Sequence, residues 1–361
     1  MKRLDSIQML RGVAALAVVV FHICTLSKDY ANGVFFQPFT LIGNAGVDLF
    51  FVISGFVMAA TTYDTFDTPG APARFAIHRF SRIYPPYWIL SAFVFAYYLY
   101  DPAGVNAEHG GVDLAASFWL TPGPLLPLIP VAWTLVHEVM FYAVFFVAMC
   151  ILPHRQLGRA LVVWASLIGL NMLTAFASPA SALTTYLLHP FNLEFIGGTL
   201  IGLHYRRAGV LPRGLSAGIT TVAIALFLMI AVYLQSAGAA AMASVPARIS
   251  LFAIPSLLLV VGCLGLRFAS HQSMGPLTRM GDYSYSLYLV HILIIHFAYR
   301  LITKKLEIVL GFWSAGALAI GLLFTSLGVG WLFYRFVETP SCAAVLSKLT
   351  DLREQKYLAS R

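Results

Sequence analysis

Arg11 and His22 stand eleven positions apart at the two ends of an apolar stretch, "RGVAALAVVVFH". Eleven steps of about 100° return a helix to within about 20° of its start, so the two side chains share one face, about 16 Å apart along the axis. They can touch one elongated ligand. A second basic group follows in "RFAIHRFSRIYPPYW", where Arg79 and Arg82 are neighbours on a helix and Arg74 and His78 lie close by. Two guanidiniums on one face suit phosphate groups, which they bind in bidentate fashion. Acidic candidates are Asp48 with Ser54 in "GNAGVDLFFVISGF", and Glu138, next to His137, in "VAWTLVHEVMFY". A carboxylate beside a histidine raises its basicity and fixes its tautomer. His291 in "YSLYLVH" completes the set, and Arg335 and Glu338, at i and i+3 in "YRFVETP", form a structural pair before Pro340 ends that helix.

Each of these residues also has a purely structural reading. Arg11, Arg79 and Arg82 suit the positive-inside pattern, His22 and His291 suit buried core positions, and Glu138 suits an ion pair with an arginine. Tyr283, Tyr285 and Tyr288 suit an interfacial aromatic belt, and Gly43, Gly46 and Gly55 suit close helix approach.

Lipid disfavours every one of the charged groups, so the elements that hold them matter. With 59% hydrophobic and 11% charged residues in 361, and a mean hydropathy of +0.80, the chain has too little polar surface for a soluble globule of its size. We expect an all-α, polytopic integral membrane protein with about ten transmembrane helices, near 9–26, 39–60, 84–100, 132–151, 159–177, 184–203, 215–235, 249–266, 284–300 and 309–334. The first is expected to stay as an anchor, with no small-residue cleavage pattern after it. With both termini cytoplasmic, the inside segments hold all of the 23 Lys and Arg except Lys28, Arg248, Arg300, Lys304 and Lys305. The charge of +8 is thereby explained as topology, and no nucleic acid is expected as a partner. The connector from 101 to 131 falls outside, with a short interfacial helix near Val112–Leu120, and Tyr84, Pro85 and Pro86 fix the start of the third span. Cys24, Cys150, Cys263 and Cys342 lack ligand spacing, so neither a disulfide nor a metal is expected.

In their order along almost the whole chain, the Arg11–His22 stretch, "GNAGVDLFFVISGF", Arg79 and Arg82 before "IYPPYW", "WTLVHEVMFY", "YSLYLVH" and "YRFVETP" resemble the membrane acyltransferase 3 family, especially members that O-acetylate bacterial exopolysaccharide and lipopolysaccharide O-antigen. The resemblance implies ten or so helices in the bacterial inner membrane. It also implies transfer of an acetyl group from cytoplasmic acetyl-CoA, without a metal, to a hydroxyl of a carbohydrate acceptor, in contact with membrane lipid. It puts catalytic roles on His22, Glu138 and Asp48, and binding of the acyl-CoA donor on Arg11, Arg79, Arg82 and His291. On this reading donor phosphates meet the arginines, the pantetheine arm runs toward His22 as general base, and Glu138 orients His22 or positions the acceptor. Residues 1–340 are expected to form the transmembrane acyltransferase domain and 341–361 a short cytoplasmic tail, without the extracytoplasmic domain that some members of the family carry. The chain departs from its relatives in having Glu138 alone, preceded by His137, where two acidic residues are common. Three alternatives stay open: succinyl-CoA as donor, a polysaccharide or lipid-linked sugar transporter or flippase with buried polar groups, and a structural or sensory membrane component.

Overall fold

The computed structural model describes residues 4–30, 38–102, 105, 111–174, 181–266, 275–307 and 310–359. Parts of the expected elements lie outside the described residues: Met1–Arg3 of the basic start, stretches of the 101–131 connector, and positions 175–177, 309 and 360–361. The described residues form helices and no strand. These are α1 (Asp5–Tyr30), α2 (Ala45–Thr62), α3 (Ala71–Tyr100), α4 (Leu114–Trp119), α5 (Trp133–Ile151), α6 (His154–Thr174), α7 (Ala182–Leu187), α8 (Asn192–Ala208), α9 (Arg213–Ala237), α10 (Val245–Gly265), α11 (Gly275–Asp282), α12 (Ser284–Arg300), α13 (Phe312–Phe333) and α14 (Thr339–Ala359).

The described residues of all ten expected segments lie mostly in helices, and eight of the described helices are long and apolar enough to cross a membrane. The third and sixth segments fall short for different reasons. The span in α3 carries five tyrosines and two prolines, which lower its mean hydropathy. The sixth is split by "LHPF" into α7 and the 17-residue α8. This is an all-α polytopic membrane protein whose peripheral helices present apolar side chains outward, such as Val232 on α9 and Phe324 on α13.

The centre of the bundle is held by backbone-close contacts. A Cβ on Gly198 of α8 would land on the Val52 carbonyl of α2, and one on Gly55 of α2 would land on the Phe195 carbonyl of α8. Gly46 likewise faces the Ala14 carbonyl of α1. Small residues let these helices approach to where dispersion forces act along the whole contact.

Three features correct the expectations. First, α3 runs unbroken through Pro85 and Pro86, so the basic connector and the span form one 30-residue helix. A proline has no N–H for the carbonyl four residues back. The Arg82 carbonyl, freed by Pro86, meets the Cys342 Sγ of α14 at 3.8 Å. Second, Pro340 does not end the last helix: a wider turn over Tyr334–Glu338, in which the Thr339 N–H donates to the Tyr334 carbonyl, absorbs it and leads straight into α14. Glu338 then reaches across to accept from Ser286 Oγ of α12, and Arg335–Glu338 is not among the ion pairs of the described residues.

Third, the described part of the 101–131 connector carries α4 down alongside α3. Three last-turn carbonyls of α4, on Ser117, Phe118 and Trp119, accept from Tyr87 OH at 2.7 Å, Trp88 Nε1 at 2.8 Å and Tyr84 OH at 2.9 Å. The indole of Trp88 stacks on Phe118. Tyr87 stands about 13 residues, roughly 20 Å, back along α3 from Tyr100, so α4 sits deep rather than at the Tyr100 end. Aromatic N–H and O–H donors satisfy carbonyls that have no partner in their own helix, which is the condition for irregular backbone at this depth. The parallel helices α3 and α12 are tied at one end by the Asp101–Arg300 ion pair (2.8 Å) and further down by Tyr285 OH donating to the Ile83 carbonyl (2.8 Å).

Candidate active site

A cavity of about 780 Å³ opens among α3, α14 and the arginine-bearing end of α1, and continues into an inner cavity of about 440 Å³. Both are lined by Gln8, Arg11, Val57, Thr61, Arg79 and Arg82, which form the neck between them. Arg79 and Arg82 share a face of α3, as their spacing predicts. Arg79 is held by its Nη2, which donates to Thr61 Oγ1 at 3.3 Å, and by the rings of Phe75 and Tyr142, 5.4 and 5.3 Å from its Cζ. Its Nε is buried without an acceptor. Arg11 Nη1 donates to Gln8 Oε1 at 3.1 Å, and Arg82 lies within electrostatic reach of Glu138 and Glu338. Three cations converge where a polyanion would pass.

The inner cavity follows α2 from Thr61 to Val47, about 21 Å at 1.5 Å per residue. Glu138 projects into it from α5, accepting from Ser54 Oγ at 2.8 Å and from Tyr142 OH. At the far end the hydroxyls of Thr134 and Tyr288 lie 2.9 Å apart, and each reaches the Val131 carbonyl at 3.0 Å. Tyr285 and Tyr288 therefore point into the bundle, where their hydroxyls find partners, instead of joining an interfacial belt.

His22 and His291 are brought together just beyond this end, with His291 one turn along α12 from Tyr288 and ring centroids 5.7 Å apart. His22 Nδ1 lies 3.1 Å from His291 Nε2 and 3.0 Å from the Val18 carbonyl, while His291 Nδ1 lies 3.1 Å from the Leu287 carbonyl. Carbonyl oxygens can only accept, so the proton sits on Nδ1 of both rings. His291 Nε2 then accepts from His22 Nδ1–H. The chain of bonds leaves the His22 Nε2 lone pair as the basic atom of the pair. The expected contact between Glu138 and His22 is replaced by this arrangement, because Glu138 already serves Ser54 and Tyr142 one helix away.

Asp48 does not line the cavity. It is fully buried and paired with Arg248 of α10, Nη2–Oδ2 2.7 Å and Nε–Oδ1 3.3 Å, while Arg248 Nη2 also donates to the Asn44 carbonyl at 3.2 Å. Arg248, assigned to an outside connector by charge counting, is 8% exposed. Glu194 of α8 stands beside them, fully buried and within reach of both the Asp48 carboxylate and Arg248.

A family pattern described as an acyltransferase domain, acyltransferase 3, matches residues 4–335. The chain belongs to the acyltransferase 3 family. It is 30% identical to acyltransferase MdmB of Streptomyces mycarofaciens, over 96% of this chain and 93% of that protein. It is 27% identical to exopolysaccharide production protein ExoZ of Rhizobium meliloti, over 83% and 89%. Against peptidoglycan O-acetyltransferase OatA of Listeria monocytogenes serovar 1/2a it is 24% identical over 94% of this chain and 56% of that protein. No solved structure matches.

This membrane acyltransferase uses more of its sequence at the cavity than the charged motifs announced. Tyr142 lies one turn after Glu138 and caps it, a spacing readable once Glu138 is placed on a helix. Thr134 and the Val131 carbonyl needed the fold, since their partner Tyr288 is 154 and 157 residues away. Glu194 is the one buried carboxylate among the described residues that no motif flagged, set in the otherwise ordinary "FNLEFIGG". Metal-holding groups of three or more His, Cys, Asp or Glu are absent among the described residues.

Proposed function

We propose that this acyltransferase, in the bacterial inner membrane with both termini cytoplasmic, moves an acetyl group from cytoplasmic acetyl-CoA to a hydroxyl of an exported or cell-surface carbohydrate. One observation carries the reading: a 21 Å cavity with three arginines at its neck and a carboxylate within ends one ring short of a histidine pair whose free nitrogen is a base. Donor phosphates bind at Arg11, Arg79 and Arg82, a bidentate geometry that guanidiniums favour. The pantetheine arm extends past Glu138 toward Tyr288. The relatives named for exopolysaccharide production and peptidoglycan O-acetylation support a carbohydrate acceptor.

In the transfer step the acceptor hydroxyl gives its proton to His22 Nε2 as its oxygen bonds to the thioester carbonyl carbon. The C–S bond breaks, and the proton passes to the departing sulfur, giving an ester and free CoA thiol with no net proton change. His291 holds His22 in the reactive tautomer, Glu138 positions substrate within the cavity, and Asp48 acts through the strut it forms with Arg248. Residues 1–340 form the catalytic domain, and the tail from 341 onward closes one side of the donor entrance through Cys342, Ala343 and Leu346.

The test is CoA thiol release from acetyl-CoA by purified protein in vesicles supplied with a polysaccharide fraction, with donor binding followed separately. His22→Ala should bind donor normally and lose about 10²- to 10⁴-fold in turnover. Equal turnover in both proteins would remove His22 from the chemistry. A deletion strain that exports its carbohydrate without acyl groups supports the enzyme, whereas loss of export supports a flippase.

A further inference from the structure

Three oxygen atoms at the far end of the inner cavity form a nearly equilateral triangle. Thr134 Oγ1 of α5 lies 2.9 Å from Tyr288 OH of α12, and each lies 3.0 Å from the Val131 carbonyl oxygen. The carbonyl can only accept, so the two hydroxyls supply the only two protons of the set. Two protons cannot fill three edges. One edge is always without a hydrogen bond, and each hydroxyl has a second acceptor to turn to.

Other hydroxyls along the cavity are committed. Ser54 and Tyr142 both donate to the Glu138 carboxylate, and Tyr285 donates to the Ile83 carbonyl. A hydroxyl bound to a charge costs more to detach than one bound to a neutral carbonyl. Val131 keeps the Trp133 N–H when a hydroxyl leaves it.

Thr134 and Tyr288 line the cavity and Val131 does not. The point opposite Val131, across the line joining the two hydroxyls, therefore lies on the cavity side and is also about 3.0 Å from both. An oxygen atom placed there receives two hydrogen bonds at once. The surroundings are apolar: Val47, Phe50 and Leu135 line the cavity as well, and the rings of Phe50 and Tyr288 meet edge to face with centroids 6.1 Å apart. The three arginines stand at the neck, so charge that develops at the far end is met by the two neutral donors. In so apolar a place, fixed donors are worth more than in water.

We infer that Thr134 and Tyr288 form an oxyanion site: their hydroxyls receive the thioester carbonyl oxygen of the donor and stabilise the negative charge it takes on during transfer. The inference rests on the proposed acetyl transfer, which brings a thioester to this end. As the acceptor oxygen bonds to the carbonyl carbon, the π pair of the carbonyl moves onto its oxygen, and both hydroxyls turn from Val131 toward it. When the C–S bond breaks and the carbonyl re-forms, they turn back. Neither proton leaves its own oxygen, so the proton balance of the transfer is unchanged. Hydrogen bonds that strengthen only as charge develops lower the barrier without tightening donor binding.

The test compares acetyl-CoA with its dithioester analogue, in which sulfur replaces the carbonyl oxygen and accepts hydrogen bonds poorly. Both release CoA thiol on transfer to the polysaccharide fraction. Tyr288→Phe keeps the ring and should lower kcat on acetyl-CoA by about 10²- to 10³-fold with donor Kd unchanged, while its kcat on the dithioester should match the wild type's. Thr134→Val should behave likewise, and Thr134→Ser, which restores a hydroxyl, should recover most of the rate; these two decide the matter if Tyr288→Phe fails to fold. Equal losses on both esters, a weakened donor Kd with kcat intact, or unchanged kcat in both variants would overturn the inference. A wild type that releases no thiol from either ester would refute the acetyl transfer itself, and the oxyanion site with it.

Discussion

His291 offers the sharpest test of how the histidine pair works. His291→Phe keeps a buried ring but removes the Nε2 acceptor 3.1 Å from His22 Nδ1. The Val18 carbonyl, at 3.0 Å, remains to hold the same proton. Loss of one of two shared acceptors is worth about 0.5–1.5 kcal/mol, so kcat should fall by about two- to twelvefold, far less than the ~10⁴ that follows when a catalytic histidine is left in its wrong tautomer. His291→Gln puts an amide oxygen near the lost nitrogen and should recover most of the rate. The assay is CoA thiol release at saturating acetyl-CoA, with donor Kd measured by calorimetry. Unchanged kcat in His291→Phe would refute the tautomer argument. A donor Kd weakened many-fold with kcat intact would instead make His291 a donor-binding residue, the role that the family resemblance gave it.

Three further outcomes are expected. Asp48→Ala should cost less than the about 3–5 kcal/mol typical of breaking a buried ion pair, because Glu194 can take over Arg248, whereas Asp48→Ala with Glu194→Gln should cost the full amount; additive losses in a thermal unfolding cycle would rule out this sharing. Arg79→Lys keeps the charge but loses the fork and the ring stacking, so KM for acetyl-CoA should rise about tenfold with kcat little changed, and Arg79→Ala should raise it further; equal KM values in titrations of initial rate would place Arg79 outside the donor site. Gly198→Ala drives a methyl group onto the Val52 carbonyl and should sharply lower the yield of folded protein in detergent, visible by size-exclusion chromatography, while Gly218→Ala, which meets open space, should not.

Hydropathy made the helices legible because a membrane span must satisfy its backbone internally and face lipid, which leaves a long apolar run in the sequence. The arginine neck was legible too, since Arg79 and Arg82 are local neighbours and helical spacing alone aligns them. Pairings between distant helices were not. Nothing in "YSLYLVH" distinguishes a tyrosine at a lipid interface from one bonded to Val131, and nothing near Arg248 reveals that its partner is Asp48, 200 residues earlier. The prolines misled for a physical reason: Pro86 removes a donor, but Cys342 on another element meets the freed carbonyl, and the wide turn before Thr339 makes room for Pro340. Local rules describe what a residue costs its own helix and are silent on what a neighbouring helix returns.

The descent of α4 alongside Tyr84, Tyr87 and Trp88 bears on how sidedness would be mapped in the laboratory. Ser117 is 4% exposed, yet it lies in a stretch without Lys or Arg that reads as the widest loop of the chain. A cysteine placed there should resist impermeant maleimides added from either compartment, and would be scored as part of a crossing. Because the chain leaving α4 returns only partway before α5 begins at Trp133, that score would miscount the passes by one and invert the assignment of everything downstream. Reporters at Asp101 and His154, which flank the dip, give the parity without that error.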